Sequence, residues 1–167
     1  ALEAAGGLAA IRGAIIDDCA LGRLLKRQGG VRLRMSGQAL SVRPYPAFGD
    51  IRRMVVRSAY AELRYRPERL ATALLGLALV FLVPPLAMLA GPGLAARGAG
   101  ALAFALMAAS FVPMLRFYGL NPMRALLLPI VAALYAGFTA ESAVQYARGR
   151  GGAWKGRIQA PRREAAS

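Results

Sequence analysis

Two adjacent carboxylates, Asp17 and Asp18, are the residues of this sequence best suited to do chemistry. They follow the apolar run Ala14-Ile15-Ile16 and open a stretch with helical spacing. A carboxylate so placed can act as a general base. It takes the proton of an acceptor hydroxyl as that oxygen attacks a sugar carbon, the base role of inverting glycosyl transfer. The same pair also suits a helix start, where acids cap amide groups and complement the macrodipole for about 1 kcal/mol. Both readings are open on the residues alone. Composition closes several other routes. The chain has one cysteine, Cys19, and no histidine. That excludes an intramolecular disulfide, a zinc site, and nucleophiles of the Ser-His or Cys-His kind. Cys19 reads as a small packing residue.

Ala20, Leu21, Leu24 and Leu25 recur at helical spacing, with Arg23, Lys26 and Arg27 on the other side, so 17–27 is expected to be a helix. Gly29-Gly30 supplies its stop. Residues 31–35 alternate apolar and basic side chains, as an edge strand does. Ser36-Gly37 is a turn signal, and 39–43 is the expected return strand. Residues 50–65 form the next expected helix. Ile51, Met54, Val55, Ser58 and Tyr65 share one side, and Arg53, Arg57 and Arg64 share the opposite one. That pattern predicts an interfacial amphipathic helix. Glu62 interrupts its apolar side.

Beyond residue 69 the sequence reads as membrane. Over the whole chain the apolar fraction is 57% and the mean hydropathy +0.43. No charged residue occurs in 70–96, 98–115 or 125–140. A helix over 70–89 spans roughly 30 Å, one hydrocarbon core. Three transmembrane segments are expected, at about 70–89, 99–115 and 125–143, inside a membrane region of 70–147. Residues 1–47 and 48–69 precede that region and a basic tail, 148–167, follows it. No basic leader opens the chain, so no signal peptide is read there. Three full crossings would put the basic tail opposite a cytoplasmic 1–69, against the positive-inside rule. The expected resolution is that the first segment, broken at Pro84-Pro85, dips in and returns. Glu141, near the end of the third segment, is expected to reach water or pair with Arg148.

Lys and Arg number 22 against 8 acids, a net charge of +14. Beside membrane segments, anionic lipid is the expected partner, at about 1 kcal/mol per basic residue near the surface. Nucleic acid is not expected, because the basic residues are dispersed and lack a stacking platform. Arg53 and Arg57 suit either a diphosphate leaving group or a lipid phosphate. Trp154, Lys155 and Arg157 suit an interfacial anchor, Trp at head-group depth with cations toward phosphate.

The order of these features resembles a known family. Gly6-Gly7-Leu8, Ile16-Asp17-Asp18-Cys19-Ala20-Leu21 and Gly29-Gly30 resemble the acceptor half of a family 2 glycosyltransferase of GT-A fold. The likeness continues through Arg43-Pro44-Tyr45-Pro46, Asp50-Ile51, Arg53-Met54-Val55-Val56-Arg57-Ser58-Ala59-Tyr60 and Leu63-Arg64-Tyr65. It extends to Pro84-Pro85, Leu115-Arg116-Phe117-Tyr118-Gly119-Leu120 and Trp154-Lys155-Gly156-Arg157. Together they are similar to the C-terminal portion of the hopene-associated glycosyltransferases (the HpnB type), over nearly the whole chain.

The resemblance implies that Asp18, the second acid, is the base. Asp17 stands where the family usually has Glu. It implies a nucleotide-sugar donor, a hopanoid-associated lipid acceptor and a tail that docks near the active site. It also implies a bacterial inner-membrane protein with 1–69 in the cytoplasm. Two departures matter. Met54-Val55-Val56-Arg57-Ser58 keeps only the Arg of the common Gln-x-x-Arg-Trp motif. The nucleotide-binding half, with its βαβ run and Asp-x-Asp, is not in this sequence. No cofactor is therefore expected on this chain. The divalent metal, Mg or Mn, would belong to the missing half, and the chain alone would not turn over. The fold expected is an α/β remnant followed by an α-helical membrane region. The competing reading is a small basic integral-membrane adaptor or scaffold without catalysis. It accounts for the apolar segments and the charge, but not for the ordered motifs.

Overall fold

A computed structural model of the chain describes residues 2–12, 14, 16–32, 34–38 and 45–151, and every regular element among them is helical. A short 3₁₀ turn, Leu8–Ile11, follows Gly6 and Gly7, whose φ of +92° and +66° favour glycine. Helix α1, Asp17–Lys26, has both acids in its first turn and Arg23 and Lys26 in its last, the polarity the macrodipole favours.

The expected α/β remnant is not supported. Among the described residues there is no strand, and 31, 32, 34 and 35 are exposed and irregular. The expected return strand, 39–43, lies outside the described residues. A strand exists only through a partner's hydrogen bonds, and an isolated two-stranded ribbon is marginal in water. The alternation of 31–35 is thus not sufficient by itself.

Helix α2, Phe48–Glu62, starts two residues before the expected point. The Asp50 carboxylate accepts the Ala47 N–H at 3.1 Å and closes the first turn. The helix ends at Glu62, short of residue 65. Arg64 and Tyr65 both stand at φ 56°, a left-handed conformation that side-chain-bearing residues rarely adopt.

Three helices are long and apolar enough to cross a membrane, Pro67–Ala90, Gly93–Phe117 and Pro122–Ala147. They extend past the expected segments at both ends. Most of their large side chains face outward, including Leu79, Leu86, Leu102, Leu106 and Ile130. That surface is the signature of an integral membrane protein, since lipid rather than water can cover it.

The first of these is helical throughout. It comprises α3, Pro67–Leu77, a π turn, Ala78–Leu82, and α4, Val83–Ala90. Pro84 and Pro85 do not send the chain back, contrary to expectation. A proline lacks an N–H and crowds the carbonyl four residues before it. The π turn relieves this, because the Val83 N–H donates to the Ala78 carbonyl five residues back. The two prolines then occupy the first positions of α4, where no N–H is needed.

Reversal comes at Gly91–Gly93 instead. Helix α5, Gly93–Phe117, packs along α4 as a tight hairpin. A Cβ on Gly100 would lie 2.5 Å from the Met88 nitrogen and 2.9 Å from the Ala87 Cβ, so this contact requires glycine. The Arg97 Nε donates to the Gly91 carbonyl at 3.1 Å and ties the turn. The chain then passes through a 3₁₀ turn, Pro122–Leu127, in which the Asn121 side chain accepts the Met123 N–H at 2.9 Å. Ala108 and Leu115 of α5 bury Ala125 of this turn, with Phe111 and Val112 around them. Helix α6, Leu128–Ala147, follows and packs on α2, on α3 and on the π turn. The end of α6 lies at the start of α3: the Tyr65 and Tyr146 rings stack with centroids 4.3 Å apart.

Candidate functional site

The acid pair stands at the N-terminus of α1. The residue before it, Ile16, has no side-chain acceptor. The acids supply that service. The Asp18 N–H donates to Asp17 Oδ1 at 3.1 Å, and the Cys19 N–H donates to Asp18 Oδ1 at 2.7 Å. Both acids are exposed. One residue further on, the Cys19 thiol donates to Glu62 Oε1 at 3.9 Å, a weak bond that links α1 to the last residue of α2. Partial desolvation, then the negative charges of Glu62 and Asp18, push the Cys19 thiol pKa up. The residue that interrupts the apolar side of α2 is therefore the one that meets α1.

Helix α2 carries three stripes, because a 100° step per residue separates positions cleanly. Val56, Ala59 and Tyr60 are buried against α6, with Arg52 in the same stripe. The apolar side expected to anchor the helix is a different one. Ile51 and Met54 on it remain exposed. Arg53 and Arg57 form the third stripe, Arg53 bound to Asp50 one turn before it. Arg53 lies nine residues before Glu62, about 14 Å along the helix and on its opposite side. The fold therefore does not bring Arg53 to the acid pair. Trp154, Lys155 and Arg157 lie outside the described residues.

The α2–α6 contact is polar at its centre. Arg52 grips Glu141 with two N–H groups, its Nε at 2.8 Å from Oε2 and its Nη2 on Oε1. Gln145 donates to the same carboxylate at 2.9 Å. Glu141 is expected to reach water or pair with Arg148; its partner is Arg52, 89 positions away in sequence. The Tyr60 N–H reaches the buried Ser142 hydroxyl at 3.1 Å, a helix approach that only a small side chain allows. Phe48 packs on Phe138 at 5.7 Å.

Where α2 gives way to α3, three tyrosines meet. Tyr60 lies edge-on to Tyr65 and to Tyr146, at 5.7 and 5.5 Å. Its hydroxyl donates to the Tyr65 carbonyl at 3.0 Å, and the Tyr65 N–H donates to the Tyr60 carbonyl at 3.0 Å. These bonds and stacks hold Arg64 and Tyr65 in their left-handed conformation, which otherwise costs of order 1–3 kcal/mol each. Loss of hydration, then the neighbouring Tyr146, pushes the pKa of Tyr60 and of Tyr65 up. Sequence reasoning passed over this cluster and the Arg52–Glu141 pair. The available signal was the placement of tyrosines just outside apolar segments, where amphipathic rings settle at head-group depth.

No protein-family model matches this sequence, and no curated protein and no solved structure shows significant similarity to it. Among the described residues no group of three or more Cys, Asp or Glu side chains is placed to hold a metal ion. The chemistry available at the site is that of an exposed carboxylate pair beside a membrane helix: proton transfer, and attraction of cations or hydroxyl donors.

Proposed function

We propose that this chain is the acceptor-side, membrane-embedded portion of a lipid-directed glycosyltransferase, with Asp18 as its general base. The observation that carries the reading is the position of the acid pair. Helix α1 is joined through Cys19 to Glu62, five residues before the first membrane helix starts at Pro67. A base there works at head-group depth, where the hydroxyl of a lipid acceptor is found. The Asp18 carboxylate takes the hydroxyl proton as the oxygen forms its bond to the anomeric carbon. The nucleotide diphosphate leaves from the opposite face with its bonding pair, which inverts the centre. In this reading the nucleotide sugar and its divalent metal are held by a segment outside this chain, and Arg53 and Arg57 face lipid phosphate.

The test has two parts. The coding sequence upstream of Ala1 should encode a nucleotide-binding half with an Asp-x-Asp motif. In that complete enzyme Asp18→Asn should leave donor binding intact and lower kcat by about 10²–10⁴, the usual worth of a positioned base. Asp17→Asn should cost less. A second reading, a basic membrane adaptor without catalysis, is favoured by one observation: both acids already accept backbone N–H groups at the helix start. Near-normal turnover in both mutants would leave that reading standing.

A further inference from the structure

We propose that α6 returns the chain to the membrane face from which α3 departs, so that the arginines flanking both helices form one belt for anionic phospholipid head groups. The helix lengths and the ring contacts decide this together. Spans of 24, 25 and 26 residues measure about 36–39 Å each. Three alternating crossings would set the start of α3 and the end of α6 on opposite faces, about 30 Å apart. Yet Tyr65, two residues before α3, stacks on Tyr146, one residue before the end of α6, at 4.3 Å.

The neighbouring contacts agree. Arg52 holds Glu141, and the Tyr60 N–H holds Ser142. Beyond α6, Gly149 turns at φ +72° and the Arg150 N–H donates to the Gln145 carbonyl at 2.8 Å. Gly151 then packs so closely that a Cβ would lie 2.8 Å from the Tyr146 Cα. The chain thus leaves α6 beside the place where it began α3. At the other end of the pair, α6 packs on the π turn from which the α4–α5 hairpin departs. That hairpin leaves from the π turn and comes back, through the 3₁₀ turn, to the start of α6, so it carries no net crossing.

The consequence is electrostatic. Arg64, Arg66 and Arg69 before and at the start of α3, and Arg148 and Arg150 after α6, are all exposed at one end of the molecule. Acids share this end: Glu68 is exposed, Glu62 meets Cys19 beside Asp17 and Asp18, and Glu141 is held by Arg52, while the exposed Arg23, Lys26 and Arg27 accompany the acid pair and keep the balance basic. An anionic leaflet is the partner whose charge and continuity with the membrane helices fit such a belt. This inference does not rest on the catalytic reading.

The test uses the full chain with Cys19→Ser, which removes the only cysteine. Gln28→Cys and Arg150→Cys are introduced singly at exposed positions, and sealed vesicles are treated with a membrane-impermeant maleimide. Both sites should label from the same side, and labelling from opposite sides overturns the proposal. A doubly substituted Arg52→Cys, Glu141→Cys chain treated with a short bifunctional maleimide reports the pairing itself. An intramolecular link is expected, and its absence in folded protein overturns the proposal. For the lipid, the chain is solubilised from vesicles holding equal phosphatidylglycerol and phosphatidylcholine. Phosphatidylglycerol should be enriched about fivefold in the retained lipid, the partition expected of one well-placed arginine. The enrichment should fall away in Arg66→Gln, Arg69→Gln, Arg148→Gln, Arg150→Gln. Equal retention of the two lipids by the unsubstituted chain rejects the belt.

Discussion

Cys19 reports the electrostatics of the acid pair more directly than the acids themselves. Desolvation raises its thiol pKa, and the charges of Glu62, 3.9 Å away, and of Asp18, one residue away, raise it further. A raised thiol pKa means a smaller thiolate fraction at neutral pH, and only the thiolate reacts. Glu62→Gln removes one of the two negative charges. It should speed alkylation of Cys19 severalfold at about pH 7.5, and the gain should vanish at alkaline pH, where the thiol is ionised in both proteins. Iodoacetamide kinetics across pH measure this. Identical rates at every pH would mean that α1 does not rest on α2. The acid pair and Cys19 were evident in the sequence because they are adjacent. Glu62 as their neighbour was not, since 43 positions separate it from Cys19.

Among the elements, α2 is held to α6 by an ion pair, a buried hydroxyl and an aromatic cluster. Two tyrosines of α6 separate the cluster from mere membrane residence. Tyr146 stacks on Tyr65 and meets Tyr60 edge-on, whereas Tyr135 on the same helix is 47% exposed. Tyr146→Ala should destabilise the fold in detergent micelles by about 3 kcal/mol, the usual loss for truncating a packed aromatic. Tyr135→Ala should cost less than about 1 kcal/mol, as an outward-facing position does. Equal shifts in thermal midpoint would show that the cluster holds nothing. The existence of α1, α2 and the membrane helices was legible from apolar spacing and run length. The packed face of α2 was not. The wheel singles out Ile51, Met54 and Val55 as its apolar side, but the face against α6 is Val56, Ala59 and Tyr60, chosen by a close approach at Ser142.

At the scale of the whole molecule, three apolar helices expose most of their surface. Such a surface is stable only when covered by hydrocarbon, so the protein should remain in the membrane pellet after carbonate or high-salt washing. Those washes strip proteins held by charge alone. Recovery in the supernatant would show that the basic residues, and not the helices, attach it. The membrane region divides into a pairing of α3 with α6 and a hairpin of α4 with α5, joined at the π turn. Pro84 and Pro85 mark that joint in the sequence, although their effect is a change of hydrogen-bond register and not a reversal.

Features set by local physics are legible in the order of residues alone. Uncharged apolar runs about as long as a hydrocarbon core predict membrane helices, and acids then bases orient α1. A missing histidine and a single cysteine close whole classes of chemistry. Features that depend on long-range contact emerge only in the folded chain. Whether 31–35 finds a strand partner, which side of α2 packs and which arginine holds Glu141 each turn on residues far apart in the chain. So does the side on which α6 ends. Run length counts how many helices are long enough to cross, but it carries no information on where two ends meet. That is fixed by ring stacking at 4.3 Å between residues 81 positions apart.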